Sequence, residues 1–281
     1  MKLRKALVAA SVMAALGLSS AAHAFTEDTG YTGHNGTVNF SGTVTDLTPK
    51  WMWEVVNAGT PYTYDININL GTSANGKTTF AYTANPAIPF LQGYLKDKAP
   101  NGGQALQPVV TLGLAGQELA LVSGTLNTAN PTLSVKATGT MADQTTQVDG
   151  LVTFTLAQAG VIAAKEGSVA KIQPAAFLTG IEGGAAPSNG PAVVNGTGEY
   201  GTALDEAVTM LATATDYAAS EYAAKTLDKS KVWNAASMSR YDVKDIFAGY
   251  SSRISDVKTI WDATGVPVTW TANIGVTVTH Q

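Results

Sequence analysis

The side chains able to carry out chemistry are few in this 281-residue chain, and they are scattered. There is no cysteine. That removes thiolate nucleophiles, Cys–zinc sites and thiol redox chemistry. Of the three histidines, His23 lies in an apolar leader, and His34 and His280 sit at opposite ends of the remainder. A histidine metal site or a His-based triad therefore has almost no raw material. Adjacent carboxylates occur at Glu27-Asp28 and Asp205-Glu206. The first pair reads as a solvated leader and the second as favourable charge at a helix N-terminus. There is no G-x-S-x-G or H-E-x-x-H pattern. The expectation is no enzyme: no catalytic residue, no metal ligand set and no cofactor.

Recognition by aromatic rings is the remaining chemistry. Sugar sites combine an apolar wall with a few well-placed polar groups. Trp233 lies in the polar run Lys231-Val232-Trp233-Asn234, and Tyr200 and Tyr94 also fall near loops. Trp233 and Tyr200 are the carbohydrate-binding candidates, against the alternative that they are packing residues. Trp51, Trp53, Trp261 and Trp270 lie on apolar patterns and read as core. Three Asn-x-Ser/Thr triplets, at Asn35, Asn39 and Asn195, are what chance gives in a chain so rich in Asn, Gly and Thr.

Residues 1–24 read as a secretory signal. Lys2, Arg4 and Lys5 precede an apolar run from Ala6 to Leu18, and Ala22-His23-Ala24 forms an A-x-A cleavage site. Removing three of 17 basic residues leaves 14 against 21 acidic ones, a net charge of −7 on 257 residues. An acidic chain without basic clusters argues against nucleic acid as a partner.

The elements that must position any site are mostly short strands. Residues 25–36 are polar and Gly-rich and read as a flexible leader. Strands are expected over 37–47, 51–56, 62–70, 78–83, 109–114, 119–122, 133–137 and 151–156, with Asn75-Gly76, Asn101-Gly102-Gly103 and Asp149-Gly150 as turns. Residues 182–201 read as loop. Two helices then follow. Thr202 and Asp205 fit a capping box ahead of Leu204, Ala207, Val208, Leu211, Ala218 and Tyr222. Ser239 and Asp242 repeat the box ahead of a stripe of Val243, Ile246, Phe247, Tyr250, Ile254, Val257 and Trp261. Strands return over 266–271 and 274–281. The pattern is an all-β module, sandwich or barrel, with a helical excursion between its last strands.

Two alternating strands stand at the ends of the exported chain. Over 37–47, Val38, Phe40, Gly42 and Val44 share one face. Over 274–281, Ile274, Val276 and Val278 do. A sandwich short of one strand exposes an apolar groove and an unpaired edge, both costly in water. A strand donated by a neighbour covers both. The first segment has the form of such a donor: large apolar residues on one face, with Gly42 where a groove is shallow. The alternative is that it is simply the first strand of its own sheet.

The signal, the polar leader, the apolar-x-apolar-x-Gly-x-apolar strand, the run Lys50-Trp51-Met52-Trp53-Glu54-Val55 and the alternating C-terminal strand together resemble a chaperone–usher fimbrial subunit. The particular likeness is to the kappa-class major-subunit adhesins of enteric fimbriae, over residues 1–57 and 261–281. The resemblance implies an incomplete immunoglobulin-like β-sandwich over 48–281, completed by donor-strand exchange. Residues 37–47 would be the donor, with Val38, Phe40, Gly42 and Val44 facing the next subunit's groove. Ile274, Val276 and Val278 would border this chain's own groove. A periplasmic chaperone, an outer-membrane usher, neighbouring subunits and a host glycan receptor would be the partners. An inserted subdomain at about 160–262 would hold the sugar site. Localisation would pass from periplasm to a cell-surface fimbrium. One departure is His280, where the family has an aromatic. The competing expectations are a free-standing secreted or periplasmic carbohydrate-binding module and an outer-membrane β-barrel. The helical segments and the non-aromatic C-terminus argue against the barrel.

Overall fold

The computed structural model describes residues 50–280, apart from 57, 59–61, 83–85, 104–105, 129, 185, 191–197, 235–237, 239 and 241. The expected signal, leader and donor segment all lie outside the described residues. Among the described residues sixteen strands run in chain order: β1 (Trp51–Val55), β2 (Thr72–Ala74), β3 (Lys77–Ala81), β4 (Ile88–Leu95), β5 (Ala99–Asn101), β6 (Pro108–Leu112), β7 (Leu119–Ser123), β8 (Thr132–Thr140), β9 (Gln147–Glu166), β10 (Val169–Ala176), β11 (Leu178–Ile181), β12 (Ser188–Asn189), β13 (Trp233–Asn234), β14 (Val243–Asp262), β15 (Thr269–Ala272) and β16 (Val276–His280). An α-helix, α1 (Gly198–Ala212), falls between β12 and β13. The chain is mainly β, as expected.

The larger sheet has twelve strands around the backbone order β1-β4-β14-β9-β10-β13. A second sheet of four runs β12-β11-β6-β16. The frame is the antiparallel pair β9 and β14, each 20 residues long. Over residues 159–163, β9 (Ala-Gly-Val-Ile-Ala) is covered on both faces. One face packs in the main core with Leu133, Phe154, Tyr250 and Trp261. The other packs under α1 with Tyr200, Leu204, Leu211, Tyr222 and Phe247. Full burial of each large side chain stabilises the fold by about 1.5–3 kcal/mol. Glycine lets the helix come close: a Cβ at Gly249 on β14 would lie 2.2 Å from the Ala207 carbonyl oxygen.

The stripe from Val243 to Trp261 is a strand, not the expected helix. The reason is two irregularities. Period-2 alternation runs through Ile246, Ala248, Tyr250, Ser252 and Ile254, and again through Val257, Thr259 and Trp261, all buried. The register with β9 shifts between Lys244 and Phe247 and between Ser255 and Lys258. Asp245 and Asp256 occupy left-handed backbone there, at φ 53° and 51°. Each bulge adds one residue, so Val243 to Ile246 and Ile254 to Val257 are three apart while staying on one face. Threes among twos imitate a helical period.

Three smaller differences follow similar logic. α1 begins at Gly198, four residues before the expected cap, and the Thr202 hydroxyl instead donates to the Gly198 carbonyl within the helix. Residues 62–67 are extended but form no ladder, and Ile68–Leu70 closes a 3-10 turn capped by the Asn67 side chain. Of the stretch 160–262, residues 160–181 and 243–262 lie almost entirely in strands of the two sheets.

Candidate functional site: an open apolar groove

A cavity of about 790 Å³ opens along one pole of the sheets. Its floor comes from the two frame strands and the neighbouring β8: Val135 on β8, Val152 and Phe154 on β9, Ile254 and Val257 on β14. One rim is the extended segment 62–66 with Ile68. Tyr64 and Ile66 point toward the core, while Tyr62, Thr63 and Asp65 are exposed. The other rim is the run from Val266 to Ile274. An aromatic trio spans the groove between the two rims. Tyr64 meets Tyr82 at 5.4 Å between ring centroids and Trp270 at 6.4 Å, and Tyr82 meets Trp270 at 6.0 Å. Such offset pairs add about 0.5–1.5 kcal/mol each beyond the area they bury.

The groove is short of cover. Ile68 on one rim and Val268 on the other are 63% and 62% exposed, and Tyr62 is exposed too. A contiguous apolar surface of this kind marks a place for a partner. Its polar groups are few and mostly neutral: Thr63, Thr259, Thr269, Thr271 and Asn273, with Asp65 the one carboxylate. Burial, and secondarily the neighbouring Tyr62, raises the Tyr64 phenol above its ordinary value. No group of three His, Cys, Asp or Glu among the described residues could hold a metal ion. The arrangement suits an apolar strand rather than a reactant.

Beyond Ile274 the chain enters β16. That strand pairs antiparallel with β6, from Val276 opposite Leu112 to His280 opposite Pro108. On its other side β16 has no strand partner among the described residues. Ile274, Val276 and Val278, expected on one face, are half-buried against the main core. β1 is likewise an end strand, paired with β4 alone among the described residues. Partial burial lowers the pKa of His280.

Neither expected sugar-stacking residue presents an open ring. Tyr200 is 2% exposed in the core beneath α1, and Trp233 is 9% exposed in the main core. They sit in different cores and do not converge. Helix and sheet are stapled by Arg253, which is 14% exposed on its side chain. Its Nε donates to Glu199 at 2.8 Å, its guanidinium also reaches Glu206, and Nη2 donates to the Ala87 carbonyl at 2.8 Å. The Ser251 hydroxyl donates to Glu206 at 2.7 Å. The groove residues that sequence reasoning missed are Tyr82 and the run 266–272. The signal available was the alternation Tyr62, Tyr64, Ile66, Ile68 in a segment close to the first strand.

No curated protein matches the chain. A family model described as fimbrial, major and minor subunit matches residues 3–281. The match spans nearly the whole sequence and agrees with the mainly-β architecture. This chain belongs to the family of fimbrial major and minor subunits, a structural kind of protein that polymerises with other subunits into a cell-surface fimbrium.

Proposed function

We propose that this subunit polymerises by donor-strand exchange and that the open groove is the acceptor site. One observation carries the reading: an apolar groove of about 790 Å³ leads into β16, a final strand whose outer edge has no partner among the described residues. An incoming strand would satisfy that edge with backbone hydrogen bonds and fill the groove with alternate side chains. Residues 37–47 have the required alternation. Val38, Phe40, Gly42 and Val44 would enter the groove of the next copy, beside Ile274, Val276 and Val278. The rim at 62–67, already extended and half-buried on alternate residues, supports a second line of pairing on the donor's other side.

The basic start, apolar run and A-x-A site support export through residues 1–24. A chain with an unfilled groove needs cover before assembly, which supports a periplasmic chaperone and an outer-membrane usher as partners. Resemblance to adhesins whose major subunit binds receptor supports recognition of a host carbohydrate. With Tyr200 and Trp233 buried, that site would use other residues of the helix-bearing stretch 182–242. Deleting 37–47 from the full chain is the test. Polymer lost, with monomer soluble only when residues 36–47 are supplied as a peptide, supports the reading. Undiminished polymer would end it.

A further inference from the structure

We infer that opposite charge on the two poles of the subunit guides copy-to-copy docking, an inference that rests on the donor-strand reading. The described residues at 50, 96–101, 165–171 and 216–245 gather at the pole away from the groove. Lys50 accepts the Lys96 N–H through its carbonyl, Thr215 binds the Lys96 carbonyl, Asp228 binds the Ile172 carbonyl, and Val243 lies opposite Glu166. These ranges hold ten Lys and Arg against seven Asp and Glu, a net charge of +3. The other described residues hold four against eleven, a net charge of −7. Six exposed lysines of the basic pole, Lys50, Lys96, Lys225, Lys229, Lys231 and Lys244, have no ion pair among the described residues. Around the groove stand Asp65, which lines it, and Asp143, Asp149, Asp256 and Asp262 beside its strands, against Lys77, Lys136 and Lys258; Asp149 is paired with Lys136 and Asp262 with Lys77, which leaves a net charge of −2 with Asp65, Asp143 and Asp256 outside any ion pair among the described residues.

The chain's own geometry brings these poles of two copies together. Tyr94 pairs with Gly249, which puts Lys96, and with it Lys50, level with Phe247 on β14. The far end of the groove is at Trp261 on the same strand. At ~3.3 Å per residue, that is roughly 40 Å away along the curled strand. β16 runs from the groove toward Pro108, beside Leu106, whose carbonyl accepts the Trp51 indole N–H. A donor antiparallel to β16 therefore finishes, at Leu47, by the far end of the groove. Three residues then lead to the donor's own Lys50, a reach of at most about 11 Å. The basic pole of each copy is held against the acidic groove pole of the next. The contact is heterologous, as a filament requires. Charges so placed speed encounter and discourage docking basic pole to basic pole.

The test is polymer growth by residues 25–281, followed by light scattering at low and high salt. The triple variant K225E/K229E/K231E changes the basic pole from +3 to −3 and touches only exposed side chains; its melting curve checks that it folds. Growth of the unaltered chain is expected to slow about tenfold or more between ~20 mM and ~500 mM NaCl, and the variant to match the slow rate at either salt. Phe40→Asp, which puts a charge on the donor face, separates the two ideas. If it stops growth at every salt while the triple variant grows like the unaltered chain, the charge inference is overturned and donor exchange stands. If Phe40→Asp grows normally, both fall.

Discussion

Gly249→Ala tests the placement of α1 on β14. The added Cβ would stand 2.2 Å from the Ala207 carbonyl oxygen, 2.6 Å from the Leu211 nitrogen and 3.0 Å from the Leu211 Cβ. Two of the three are helix backbone, so no rotamer change relieves the contact. The helix must retreat by about 1 Å, and a gap of that size forfeits a quarter to a half of the dispersion attraction across it. Ala203, Leu204, Ala207 and Leu211, all fully buried, lose contacts together. The cost is placed at the upper end of the overpacking range, about 3 kcal/mol. For a chain of this size that lowers Tm by roughly 6–12 °C. Gly103→Ala is the control: no atom lies within 4 Å of its added Cβ, and the expected change is under about 0.5 kcal/mol. Both are read as melting curves by circular dichroism on residues 25–281. If Gly249→Ala melts with the control, the helix does not lie on this strand and the reading of 243–262 as strand loses its main support.

Other outcomes follow from the same geometry. Arg253→Met leaves Glu199 and the Ala87 carbonyl without the guanidinium donor and Glu206 with the Ser251 hydroxyl alone, and is expected to cost about 2–4 kcal/mol in denaturant unfolding. Asp143 accepts from the Thr145 and Thr146 N–H groups and the Thr146 hydroxyl, which hold its carboxyl at about 2. A depressed folded-state pKa gives stability that is present above the ordinary carboxylate value and lost as pH falls through 2. Asp143→Asn is therefore expected to melt below the unaltered chain at pH 7 and level with it below pH 2. Val268→Asp places a charge on an exposed groove rim. It is expected to leave the melting curve in place while cutting polymer yield severalfold, measured by sedimentation.

How far the sequence could be read depended on whether one period described each strand. β1, β3, β6, β7 and β16 have one covered face or clear boundaries, and alternation finds each to within a few residues. β14 failed because two bulges at aspartates in left-handed backbone add single residues that alternation does not anticipate. β9 was seen over 151–156 alone because its second half, Ala157 to Ala164, is covered on both faces and so carries no alternation. Residues 62–70 alternate without pairing among the described residues, because their half-buried side chains form a groove rim rather than a ladder. The half-burial of Ile274, Val276 and Val278 was legible from their spacing. Tyr200 and Trp233 misled because a polar neighbourhood in sequence says nothing of the surface a ring meets after folding: Tyr200 is closed over by α1 packing and Trp233 by pairing beside β10.

The most direct measurement compares residues 25–281 with a variant lacking 25–47 that carries 36–47 after Gln281 through a short linker. Each is expressed in the periplasm, sized by chromatography and melted. Donor-strand exchange requires a monomer with a sharp, high transition in the appended variant alone, the unaltered chain appearing as polymer or as unstable material. A stable monomer in both, with equal transitions, would mean the groove needs no strand from another copy, and would contradict the account.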